Sequence, residues 1–98
     1  MDDADTASAY KLTVAPNPVS SNKATVSLVA SNLISKAESD RYIANVIVVD
    51  KFGNVKKQYN FKDKELNQQI DFSSLPADVY YVKVYDGQSW HNTSVIVQ

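Results

Sequence analysis

Apolar and polar residues alternate along this chain in short runs of period two, and the alternation breaks roughly every ten residues. The first run, Tyr10-Lys11-Leu12-Thr13-Val14, predicts a strand with one buried face. Pro16-Asn17-Pro18 ends it, since neither proline can donate a ladder hydrogen bond, and Ser20-Ser21-Asn22 extends the turn. Ala24 to Val29 alternates again. Tyr42 to Asp50 (YIANVIVVD) is the most β-rich stretch, and its nearly continuous apolar residues predict a strand buried on both faces. Lys51-Phe52-Gly53-Asn54 reads as a hairpin turn with Gly53 at positive φ, and Val55 to Phe61 as the returning strand. Beyond the polar Lys62-Asp63-Lys64-Glu65, a short strand is expected at Gln69-Ile70-Asp71-Phe72, stopped by Ser73-Ser74 and Pro76. Val79 to Tyr85 and Gln88 to Val97 form a last hairpin, and Asp86-Gly87 between them predicts a two-residue type I′ turn.

Seven short strands and no helical period specify an all-β fold, an immunoglobulin-like two-sheet antiparallel sandwich of about seven strands. The domain is expected over residues 10–98, behind a polar linker or disordered tail at 1–9 (MDDADTASA). Residues 31–42 read as a loop, in which Leu33-Ile34 is an edge strand or a packed part of the loop. Tyr80 follows Leu75-Pro76-Ala77 into a strand, so it is either a tyrosine corner, its hydroxyl bonding back to corner backbone, or an ordinary core tyrosine.

A two-residue turn would place Tyr85 opposite Gln88, Lys83 opposite Trp90 and Tyr81 opposite Asn92. Tyr81, Lys83, Tyr85 and Trp90 then share one face, and Tyr80, Val82, Val84 and Val95 the other. Lys83 resists burial, so the second face is the core. The outer aromatics Tyr81, Tyr85 and Trp90 either shield the sheet and stack on the Lys83 stem, or form a platform for a sugar ring or a partner protein.

Ten Lys and Arg against eleven Asp and Glu exclude the basic excess of a nucleic-acid binder. The absence of Cys removes disulfides, thiolate nucleophiles and thiolate metal sites. No apolar run reaches the roughly 18 residues of a membrane helix. Met1 is followed by Asp2, Asp3 and Asp5, the opposite of a basic leader, which suggests a piece of a longer protein. Those three aspartates lack the spacing of a calcium loop, and His91 is the only histidine, so no metal site or cofactor is expected. A triad drawn from Ser89, His91 and Asp86 lacks a nucleophile elbow, and no paired carboxylates or phosphate loop occur. No enzymatic activity is expected. Lys51, Lys56, Lys57, Lys62 and Lys64 mark a solvated edge kept charged against edge-to-edge pairing.

Three ordered segments carry a family resemblance. They are Pro16-Asn17-Pro18 after a strand, Val46-Ile47-Val48-Val49-Asp50-Lys51-Phe52-Gly53 before a basic return strand, and Ile70-Asp71-Phe72-Ser73-Ser74-Leu75-Pro76-Ala77 leading into Val79-Tyr80-Tyr81-Val82-Lys83-Val84. Together, from about Tyr10 onward, they resemble the C-terminal sorting domain of the type IX (Por) secretion system. That resemblance implies a non-catalytic address at the end of a larger exported protein. Its implied partners are the outer-membrane secretion machinery and an N-terminal cargo domain, and its destination, through the periplasm, is the outer-membrane surface or the exterior. It also implies that Pro16, Asn17 and Pro18 open the domain, and that Tyr80, Val82, Val84, Val95, Ile96 and Val97 belong to the hairpin carrying the signal. Asp78 stands near the family's usual glycine, and Val95-Ile96-Val97-Gln98 lacks the usual terminal Lys or Arg. The alternative is an immunoglobulin-like accessory module, binding carbohydrate or acting as a spacer beside a surface enzyme.

Overall fold

A computed structural model describes residues 10–30 and 41–98. They form seven strands: β1 (Tyr10–Ala15), β2 (Lys23–Ala30), β3 (Asn45–Asp50), β4 (Val55–Asn60), β5 (Asn67–Asp71), β6 (Asp78–Tyr85) and β7 (Trp90–Val97). No helix occurs among the described residues. The expected tail at 1–9 and the Leu33-Ile34 segment lie outside them.

The strands make two antiparallel sheets, ordered β1-β2-β5 and β4-β3-β6-β7. This is the predicted two-sheet sandwich. Period-two alternation explains the layers. Tyr10 and Leu12 of β1, Val26 and Leu28 of β2, and Ile70 of β5 point inward from one sheet. Val46 and Val48 of β3, Val82 and Val84 of β6, and Val95 of β7 meet them from the other, all fully buried. Phe72, just after β5, fills the end of this layer.

The central strand departs from its expected burial on both faces. Val46 and Val48 are buried, but Ile47 on the outer face is only half-buried, because each face of a sandwich sheet has a different neighbour, core or water. Val49 is covered by its flanking strands, beside a bulge in the β3–β4 pairing.

Turn chemistry matches the reading at the β3–β4 hairpin. Asp50 Oδ1 accepts from the backbone N–H groups of Phe52 (2.9 Å) and Asn54 (2.8 Å), and Gly53 takes φ 89°. These bonds, that of Asn54 foremost, hold the Asp50 carboxyl below the ordinary range against a smaller upward push from desolvation. The tyrosine corner is present as well: Tyr80 is buried, and its hydroxyl donates to the Pro76 carbonyl at 2.6 Å. Lys56 and Lys57 lie on β4, an edge strand, where charge disfavours pairing with another sheet.

Candidate functional site

The terminal hairpin places β6 inside the four-stranded sheet and leaves β7 at its edge. Its register differs from the sequence reading by two residues: Tyr85 faces Trp90, Lys83 faces Asn92 and Tyr81 faces Ser94. The turn is not type I′, because Gly87 (φ 95°) has positive φ and Asp86 does not. A four-residue loop, Asp86 to Ser89, closes instead, with Asp86 N–H donating to the Ser89 carbonyl at 3.0 Å. A shift of two keeps every side chain on its predicted face. Tyr80, Val82, Val84, Val95 and Val97 are buried, whereas Ile96 is 47% exposed.

The loop chemistry centres on Asp86, whose side chain is fully buried. Its Oδ1 accepts from the N–H groups of Gln88 (2.8 Å) and Ser89 (2.7 Å). Its Oδ2 accepts from Arg41 Nη1 (2.9 Å), Ser89 Oγ (3.2 Å) and His91 Nε2 (2.6 Å). Burial pushes this carboxyl up, but the bonds from His91, the two backbone donors and Arg41 together outweigh it and hold the group at about 2. Ser89 Oγ and His91 Nε2 thus both bond Asp86 Oδ2, and among the described residues they do not bond each other. A histidine so placed cannot take the serine's proton, and this arrangement is a loop clasp rather than a triad.

The opening motif reaches the other end of β7. Leaving β1 in one sheet, the chain crosses through Pro16-Asn17-Pro18, with cis bonds before both prolines, to the edge of the other. Asn17 Nδ2 donates to the Ser94 carbonyl (3.3 Å), and Asn17 Oδ1 accepts from the Ile96 N–H (3.0 Å). Val19, buried, then pairs in parallel with Val97: its N–H donates to the Ile96 carbonyl (2.7 Å), and its carbonyl accepts from the Gln98 N–H (2.9 Å). Ser94, Ile96 and Gln98 turn these groups away from β6, toward what would be a bare edge. The side-chain amide of Asn17 stands in for one residue of a missing strand, and Val19 supplies the next. Pro16, Asn17 and Pro18 and the hairpin segment Val95, Ile96 and Val97 are therefore one contact.

Tyr81, Tyr85 and Trp90 share the outer face as expected, and Trp90 is 53% exposed. Trp90 packs on Tyr85 with centroids 5.2 Å apart and planes tilted 43°, so the two rings do not form a flat platform. The cation–π contacts among the described residues are Lys51 over Phe52 and Lys64 over Tyr42, not the expected stacking on Lys83. Among the described residues, no cluster of three His, Cys, Asp or Glu side chains could hold a metal ion.

Sequence reading identified the opening motif and the hairpin but not the bonds joining them, nor Arg41, nor the buried acceptor role of Asp86. An aspartate followed by serine and histidine at three and five residues' distance was the available signal for the loop clasp.

Against known protein families, residues 13–98 match the model described as the secretion system C-terminal sorting domain. Comparison with curated proteins finds no match.

Proposed function

This chain belongs to the secretion system C-terminal sorting domain family, and from that premise we propose that it is the non-catalytic export address of a larger cell-surface protein. The type IX machinery of the outer membrane reads the folded domain, and cargo joined ahead of Tyr10 travels with it through the periplasm to the surface or beyond. The observation that carries this reading is the contact between the family's two end segments: Asn17 and Val19 seal the outward edge of β7 at Ser94, Ile96 and Gln98. A closed edge suits an address that must cross the periplasm without pairing with other strands. It also makes the terminal strand depend on the start of the domain, so a chain lacking either end presents no complete signal. The inert loop clasp, with Ser89 and His91 committed to Asp86, accords with a domain that performs no chemistry of its own.

Fusing residues 10–98 to a periplasmic reporter, in a strain with type IX secretion, tests the proposal. The reporter should reach the surface or the medium, and deletion of Val95–Gln98 should strand it in the periplasm. Retention of both fusions in the periplasm would refute the assignment.

A further inference from the structure

We infer that the outer face of the β4-β3-β6-β7 sheet is a docking surface for a protein of the secretion machinery that presents an acidic side chain within apolar surroundings. This inference rests on the sorting reading and names the surface through which the domain is read.

Among the described residues, seven large apolar side chains are exposed, and five of them lie on this single face: Val55 (58%), Val79 (37%), Tyr81 (38%), Trp90 (53%) and Ile96 (47%). The pairing makes them contiguous. Val55 pairs with Val49, Val49 with Tyr81, and Val79 with Ile96, a band across all four strands. Tyr85 and Trp90 continue the apolar surface at the other end, beside Ile47. Contiguous exposed apolar surface of this kind marks an interaction site, where scattered residues would not.

The charge pattern selects the occupant. By register, Lys83 sits on this face between Ile47 and Asn92, and the exposed Lys56, passed over at the β3–β4 bulge, stands next to Val55 at its margin. Lys83 is exposed, and the salt bridges among the described residues do not include it. An open groove of about 390 Å³, lined by Ile47, Lys83, Trp90, His91 and Asn92, exposes the lysine for a carboxylate to enter. A two-fold self-association about the centre of the face would instead bring two Lys83 ammonium groups together. The tilted rings of Tyr85 and Trp90 offer a sugar no continuous two-ring platform. Four strands about 4.8 Å apart, two of six residues and two of eight, at about 3.4 Å per residue give a face of roughly 15–20 by 20–27 Å, the footprint of a transient interface. That suits a signal that must be released after it is read.

The test places a photo-crosslinking phenylalanine analogue in the exported fusion of the full chain, at Asn92 on this face or at Gln69 on the outer face of the other sheet. Asn92 should crosslink to a machinery protein next to an Asp or Glu, and Gln69 should not. Lys83→Glu or Val55→Glu should lower the yield about tenfold, Lys83→Arg should keep it, and a Lys at the mapped acidic position should restore the Lys83→Glu chain. Equal yields for wild type and Lys83→Glu, an adduct with a second copy of the chain, or an adduct removed by glycosidase would each overturn the inference. If these appear while the fusion is still exported, only the docking face is lost. If the unmodified fusion never leaves the periplasm, the sorting reading falls and the inference with it.

Discussion

Replacing Asp86 by Asn should destabilise the domain by about 3 kcal/mol, and most of that loss should vanish in acid. The amide oxygen can still accept from Gln88 and Ser89, which lie 2.8 and 2.7 Å from Oδ1. The new NH2 group, however, faces Arg41 Nη1 at 2.9 Å, donor against donor, while His91 Nε2 at 2.6 Å can accept from it only after its ring proton moves to Nδ1. Arg41 cannot shed its proton, and its side chain is only 14% exposed. Removing one partner of a buried pair costs roughly 3–5 kcal/mol, and the residual exposure of Arg41 places this case at the lower end. At about 4–8 °C per kcal/mol for a domain of this size, Tm should fall by roughly 12–24 °C. The pH dependence follows from the depressed carboxyl, about 2 when folded against an ordinary 3.8. A group depressed on folding stabilises above its unfolded value and loses that contribution as pH falls through the folded one. The difference corresponds to about 2 kcal/mol, present above about pH 4 and lost toward pH 2. Urea melts of wild type and Asp86→Asn, followed by far-UV circular dichroism from about pH 6 to pH 2, would show the gap narrowing by that amount. A Tm change under about 3 °C near neutrality, or a gap independent of pH, would refute the burial and bonding assigned to Asp86.

Other substitutions probe single contacts. Tyr80→Phe removes the 2.6 Å bond to the Pro76 carbonyl and should cost about 1 kcal/mol in chemical denaturation, with the fold unchanged. Gly87→Ala should cost at least about 1 kcal/mol by the same assay, because φ is 95° and the new methyl would meet Tyr42 Cε1 at 3.4 Å. Asp50→Ala removes the acceptor of the Phe52 and Asn54 N–H groups, so those two amides should exchange faster with solvent. Since the Asp50 carboxyl is held low when folded, its contribution is lost as pH falls below the ordinary carboxylate range.

The strands were legible because a sandwich writes its layers into period-two alternation, and Val82, Val84 and Val95 went to the core because the charge of Lys83 marked the opposite face as the outer one. The tyrosine corner and the Gly53 turn were legible because local geometry dictates residue type there. The final turn was misread because Asp86 serves as a buried acceptor, not as a turn residue at positive φ, and a sequence does not show which aspartate is covered. The error displaced the register by two yet left both faces intact, since side-chain direction repeats with that period. Asn17 was found as a motif without its function. Its partners, Ser94 and Ile96, lie 77 and 79 residues away, and no local pattern connects such positions.

Amide hydrogen exchange at Ile96 bears most directly on the sealed edge of β7. That amide points away from β6 on an edge strand, yet it donates to Asn17 Oδ1 at 3.0 Å. Asn17→Ala should raise its exchange rate at least about tenfold, the loss of roughly one net hydrogen bond, while Val95, whose N–H lies in the β6 ladder, should stay protected. Unchanged protection of Ile96 in the variant would contradict the clamp between the opening motif and the terminal strand.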